Sequence, residues 1–189
     1  MPDTNQSAAS ASSVQCILAA ARFAAERHRS QKRKGKAGEP YVNHLLEVAE
    51  LIANSSDGAD TNLIAAALLH DTVEDTATTI YELRENFGED VAGLVAEVTD
   101  DKSLPKATRK ALQIRNAPHK SERAATLKLA DKISNLRAIL ACPPTDWSVE
   151  RQREYFQWAK QVVDGLPASN AILKAEFDRT YARLDELGS

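Results

Sequence analysis

Glycine and proline are sparse in this chain, seven of each in 189 residues, and runs of β-branched residues are short and few. Turns and strands draw on these residue types, so their scarcity points to an all-α protein. Cysteine is rarer still. Cys16 and Cys142 fit no metal-ligand spacing, which argues against a thiolate zinc centre. With no signal peptide in view, they are expected to be reduced thiols in the cytoplasm. No apolar run approaches the roughly 20 residues needed to span a bilayer, so no membrane partner is expected. An excess of positive charge is also missing. Lys and Arg total 24 against 27 Asp and Glu, a net charge of −3, which speaks against a general nucleic-acid binder. Any anion site must come from local clustering.

What is present is enough apolar material, 43% of the chain, for one core. One domain is expected over residues 14–189, after a tail at residues 1–13 rich in Ser and Ala and expected to be mobile. Apolar residues recur at helical spacing from residue 14 onward. Helices are expected over 14–30, 41–53, 60–75, 79–86, 90–99, 105–116, 122–140, 148–166 and 169–187. Thr78 or Thr79 and Ser148 read as caps, and Phe87-Gly88 reads as a stop. Pro105 reads as a first helical residue.

The stretch Ala65-Ala66-Ala67-Leu68-Leu69-His70-Asp71-Thr72-Val73-Glu74-Asp75-Thr76 begins apolar and ends in ionisable groups. On one helix, His70 stands over Glu74 and Asp71 over Asp75, beside a stripe of Ala66, Leu69 and Val73. Buried charge of this density needs a partner, and a divalent metal is a natural one; solvated acids at a helix end are the alternative. His44 lies in the first turn of its helix, aligned with Val48 and Leu51, and points inward. It reads either as a hydrogen-bonded core residue or as a further ligand. Asp131 and Asn135, four apart, interrupt an apolar ridge of Leu129, Ile133, Leu136 and Leu140. Asp131 reads as a ligand, or as a partner of Lys128, Lys132 or Arg137.

Taken together, His44, His70, Asp71 and Asp131 offer two imidazoles and two carboxylates, a set suited to a divalent first-row metal. Such a metal lowers the pKa of bound water and polarises phosphoryl oxygen. Glu74 and Asp75, one turn below, are placed to hold or deprotonate an attacking water. The window from Arg27 to Lys36 is the most basic in the chain. It reads as a solvated helix end or as a phosphate clamp. Arg151 and Tyr155, four apart, either share a ligand or form a surface pair.

These spaced residues resemble the HD phosphohydrolase superfamily. The strings RKGKAGEPYVNH, ALLHDTVEDT, EVTDDKSLPK and KLADKISNLR are similar to the hydrolase domain of RelA/SpoT-type alarmone enzymes. Together with WSVERQREYFQWAKQVVDGL, they place the resemblance with the single-domain small alarmone hydrolases, over about residues 14–166. The resemblance implies a single HD-domain bundle of about eight to ten helices. It implies one metal ion, usually Mn2+, on His44, His70, Asp71 and Asp131, with Glu74 and Asp75 activating water. It also implies a small-molecule nucleotide substrate, with Arg33 and Lys34 beside the base, Lys106 on the phosphates, and Asn135 near the ribose. Arg151 and Tyr155 would line the far end. Leu45 stands where many members have proline, which leaves the ligands untouched. The implied reaction removes the 3′-pyrophosphate of ppGpp or pppGpp. Guanine selectivity does not follow from Arg33 and Lys34, so adenine alarmones and the 2′-phosphate of NADPH stand as alternative substrates. A silent nucleotide sensor would need a broken set, and all six residues are present. A nucleotide 5′-phosphatase shares the ligands but leaves the basic segment and Lys106 unexplained.

Overall fold

A computed structural model of the chain describes residues 4–56, 58–168 and 170–188, with side chains from residue 12. Among these residues the fold is all-helical: α1 Thr4–Arg27, α2 Val42–Ser55, α3 Thr61–Leu69, α4 Thr72–Asp75, α5 Ile80–Val98, α6 Lys106–Asn116, α7 Glu122–Ala141, α8 Val149–Gly165 and α9 Ala171–Tyr181. Short 3-10 turns follow α6 and α9. Isolated bridges, Lys32 with Pro40 and Gly35 with Pro144, are the β-type pairings described. No described helix is long and apolar enough to cross a membrane.

The helix expected from residue 14 begins at Thr4, so residues 4–13 of the expected tail are helical; residues 1–3 lie outside the described residues. The last helix was expected from Ser169, itself outside the described residues, and starts at Ala171 with Asn170 as its cap. Thr79 and Ser148 cap α5 and α8, each accepting an N–H three residues on. The two helices expected over 79–86 and 90–99 run together as α5, broken at Gly88, whose φ of 84° suits only glycine without strain. Pro105 sits one position outside α6, as its N-cap.

One expected helix is interrupted, and the interruption matters most. Residues 60–75 divide into α3 and α4 at His70 and Asp71. Asp71 has φ −99° and ψ −3°, at the edge of helical space. Side chains take carbonyls that a continuous helix would use: His70 Nδ1 donates to Ala67 O at 2.7 Å, and Thr72 Oγ1 to Leu69 O at 2.6 Å.

The core gathers around α3 and α7. Every residue of α3 from Leu63 to Leu69 is buried, wider than the one-sided stripe expected there, so this helix is enclosed by α1, α2 and α5. α7 packs on α2, α5, α8 and α9, burying Leu127, Leu129, Ile133 and Leu136. Each such side chain stabilises the fold by about 1.5–3 kcal/mol. Arg123 forks onto Asp60 and Asp90, fastening α7 to the start of α3 and to α5. The start of α2, the end of α3 and the middle of α7 meet around one interior point.

Candidate metal and nucleotide site

At that point α2 contributes His44, the α3–α4 break contributes His70 and Asp71, and α7 contributes Asp131. His44, His70 and Asp131 each offer a donor atom, and these atoms lie within 4.8 Å of one another. Asp71 Oδ2 is 3.6 Å from His44 Nε2 and 3.2 Å from His70 Nε2. Asp131 Oδ1 stands 3.4 Å and 3.9 Å from the same two nitrogens. Both histidines are buried.

The outer hydrogen bonds decide which ring nitrogens face inward. Ser134 Oγ donates to the Glu47 carboxylate at 2.6 Å, so it accepts from His44 Nδ1–H at 2.8 Å. His70 Nδ1 must likewise donate, because Ala67 O only accepts. Both Nε2 atoms therefore point at the carboxylates, and both are buried without a hydrogen-bond partner. Two orphaned nitrogens facing ionised oxygens fit a divalent cation. Burial alone would lower the His70 pKa, but Asp71 and Asp131 outweigh it and raise it to about 10. Burial opposes ionisation of Asp71 and Asp131 too. The histidines, with Lys132 beside Asp131, nevertheless hold both carboxyls well below the usual range.

Around this floor the carboxylates are braced. Tyr41 O–H donates to Asp71 Oδ2 at 2.6 Å. Asn135 Nδ2 donates to Asp131 Oδ1 at 2.6 Å, and Lys132 Nζ to Oδ2 at 3.0 Å. Glu74 accepts the Asp100 N–H at 3.2 Å and Arg109 Nη1 at 3.3 Å. Burial, reinforced by the charge on Asp71, raises the Glu74 pKa. Asp75 accepts from Gln31 at 2.7 Å and pairs with Lys102.

Above the floor opens a cavity of about 520 Å³, lined by Arg33, Lys34, Asp71, Glu74, Asp75, Lys106, Asp131, Asn135 and Tyr155 among others. His44 and His70 lie beneath it. Its volume suits a nucleotide-sized ligand. Its walls are basic and aromatic. Trp147, Tyr155 and Trp158 stand in a row with ring centres 5.5 Å and 5.1 Å apart. Lys110 and Lys132 lie 4.7 Å and 4.5 Å from the Trp158 ring centre. Lys106 reaches the Trp147 ring at 5.7 Å, and burial beside Arg151, Lys34 and Arg109 lowers its pKa. Arg33 Nη2 donates to Asn135 Oδ1 at 3.2 Å, joining the basic segment to the Asp131 network. Arg151 is placed differently: its guanidinium lies 4.6 Å from the Trp147 ring centre, outside the cavity lining, within 3.7 Å of Asp146.

The basic segment is a folded loop rather than a helix end. The Lys32–Pro40 bridge closes it, and Gly35 lies against the 142–147 loop. A Cβ at Gly35 would stand 2.5 Å from the Cys142 carbonyl, so the close approach requires glycine. Sequence reasoning leaves out the bracing residues Tyr41, Glu47, Ser134, Lys102 and Gln31. Their signal was faint, since a Ser or Gln within a polar stretch carries no periodicity of its own. Lys132 pairs with Asp131, one of the partners its sequence offers.

Buried imidazoles and carboxylates from two helices and a helix break, beneath a basic cavity, make a site that could hold a divalent metal in an all-helical protein. Comparison with known proteins gives the family. The HD domain profile matches residues 20–162. The guanosine-3′,5′-bis(diphosphate) 3′-pyrophosphohydrolase MESH1 of Xenopus tropicalis is 52% identical over 165 residues, 87% of this chain and 92% of that protein. The Homo sapiens MESH1 is 51% identical over 158 residues, 84% and 88% of the two chains. A solved structure, described as a metazoan ortholog of SpoT that hydrolyzes ppGpp, superposes with TM-score 0.86 at 45% identity. It covers 89% of this chain and 94% of that one. The chain belongs to the HD-domain family, in the group of the MESH1 proteins.

Proposed function

We propose that this protein hydrolyses the 3′-pyrophosphate ester of ppGpp and pppGpp, releasing pyrophosphate, with one divalent metal ion held by His44, His70, Asp71 and Asp131. The observation that carries the reading is the pair of orphaned Nε2 atoms facing two ionised carboxylates beneath a basic, nucleotide-sized cavity. The names of the MESH1 relatives agree with it. Nitrogen and carboxylate ligands suit manganese among the first-row metals. When bound, the metal supplies charge for the phosphoryl oxygens and a lowered water pKa.

The remaining chemistry falls to this chain's side chains. Glu74, with its raised pKa, is the base best matched to accept a proton from water near neutral pH. Asp75, held by Gln31, orients the water. The water oxygen bonds to the phosphorus attached at the 3′-oxygen, and the phosphorus–O3′ bond breaks. The proton received by Glu74 returns to the departing 3′-oxygen. Arg33 and Lys34 stand beside the base, Lys106 reaches the phosphates, Asn135 faces the ribose, and Arg151 and Tyr155 line the far end.

A second substrate reading has a specific support. Trp147, Tyr155, Trp158 and Arg33 offer flat faces for stacking, and stacking accepts either purine. Adenine alarmones therefore fit as well, as does NADPH through its 2′-phosphate. A panel of ppGpp, pppApp, ppApp and NADPH with Mn2+, scored for pyrophosphate against phosphate, tests both readings. Pyrophosphate from ppGpp is expected. Phosphate from NADPH with no turnover of ppGpp would transfer the assignment to the phosphatase.

A further inference from the structure

His28 lies just beyond α1 in the basic window, yet it is 2% exposed and takes no part in the cavity lining. Its Nδ1 is 2.6 Å from Gln31 Oε1, and Gln31 Nε2 donates to Asp75 Oδ2 at 2.7 Å. The direction of this chain is set from its far end. An ionised carboxylate only accepts, so the amide nitrogen of Gln31 faces Asp75. The amide oxygen then faces His28, and the imidazole presents Nδ1–H. The same ring stacks on Tyr41 at 5.2 Å and 24°, and Tyr41 donates to Asp71 Oδ2 at 2.6 Å. One buried imidazole thus stands behind two arms, ending on a proposed metal ligand and on a proposed water-handling carboxylate.

Stability does not account for a histidine here. His28 Nε2 is buried without a partner, a desolvation cost that the single neutral hydrogen bond at Nδ1 does not exceed. A phenyl ring would fill the space and stack on Tyr41 without the orphaned nitrogen. What it would lose is the Nδ1–H that fixes the Gln31 amide. Lys102 takes the other oxygen of Asp75, but its side chain is 46% exposed and gives a looser hold.

We infer that His28 is a positioning residue for the hydrolysis, locking the Gln31 amide so that Asp75 keeps one orientation. This rests on the reading of Asp75 as part of the water-handling pair. The test is steady-state kinetics on ppGpp with Mn2+, alongside thermal unfolding and Mn2+ binding. The variants are His28→Phe, His28→Gln, His28→Asn, Gln31→Ala, the His28→Phe/Gln31→Ala double and Asp75→Asn. His28→Phe is expected to lower kcat about tenfold, the range for outer hydrogen-bond partners of a metal site, with KM within about twofold and an undiminished Tm. His28→Asn, whose amide N–H stands near the Nδ1 position, recovers most of kcat. The double variant is no slower than Gln31→Ala alone, because both act through one hydrogen-bonded chain. If His28→Phe does not fold, His28→Gln carries the test, since its amide lies toward Nε2 and shares the loss. Unmutated kcat in His28→Phe or in a folded His28→Gln overturns the inference, and so do losses that multiply in the double variant. Full turnover by Asp75→Asn removes the water-handling reading and the inference with it. A dead Asp75→Asn beside an unimpaired His28→Phe overturns the inference alone.

Discussion

Metal binding should release a proton, and the structure says which one. Asp71 and Asp131 are ionised throughout the neutral range, because neighbouring cations hold their carboxyls well below the usual values. His70 is the opposite case, with its pKa raised to about 10 by those same carboxylates. Its proton occupies the space a metal needs, and metal binding requires the neutral ring. At pH 7 the gap from about 10 is three units, so the proton weakens apparent affinity about 10³-fold, roughly 4 kcal/mol. Affinity should therefore rise about tenfold per pH unit over the neutral and mildly alkaline range. Calorimetric titration of metal-free protein with Mn2+, repeated in buffers of different ionisation enthalpy, counts the protons directly. About one proton per metal is expected from His70 at pH 7. No proton release at pH 7, with affinity flat from pH 7 to 8.5, would refute the reasoning. The same shift has a consequence for folding without metal. The folded His70 pKa lies above its ordinary value of 6.5, so its stabilisation is fully present below that pH. It is lost as pH rises toward 10, at a slope of up to about 1.4 kcal/mol per pH unit.

Other predictions follow from single contacts. Ser134→Ala removes the acceptor that orients His44 and should lower metal affinity or kcat about 10- to 100-fold, measured by Mn2+ titration and turnover. Arg109→Ala frees one oxygen of Glu74 and should lower kcat more than it changes KM in steady-state kinetics. Gly35→Ala drives a methyl against the Cys142 carbonyl; it should cost about 0.5–3 kcal/mol in denaturant unfolding and raise KM by displacing Arg33 and Lys34. Arg123→Ala is the contrast. It breaks the fork onto Asp60 and Asp90 far from the cavity; because these pairs are partly exposed and screened, it should lower stability by only about 0.5–2 kcal/mol, with kcat and KM unchanged.

Most of the bundle is legible in the sequence because apolar spacing is a property of long helices. The ridge Leu129, Ile133, Leu136 reads the same in the sequence and in α7, and Asp131 announces itself by interrupting that ridge. His70 and Asp71 are legible as a charged pair after an apolar run. The break between them is not, because it depends on side chains competing for the Ala67 and Leu69 carbonyls. The enclosure of α3 on all sides is also hidden, since Ala65-Ala66-Ala67 has no polar face to orient it. The bracing residues are least visible. Ser134, Glu47 and Gln31 act through partners 90, 87 and 44 positions away, and no local pattern records such distances. His28 reads as part of a basic surface run until the fold turns it inward.

The central claim is that one metal ion on His44, His70, Asp71 and Asp131 is needed to hydrolyse the 3′-pyrophosphate. Its most direct measurement is pyrophosphate release from ppGpp by the unmutated protein and by Asp131→Ala, each chelated and then titrated with Mn2+. The account predicts no turnover after chelation, full recovery near one Mn2+ per unmutated chain, and no recovery in a folded Asp131→Ala. Undiminished pyrophosphate release after exhaustive chelation, or an equally active Asp131→Ala, would contradict it.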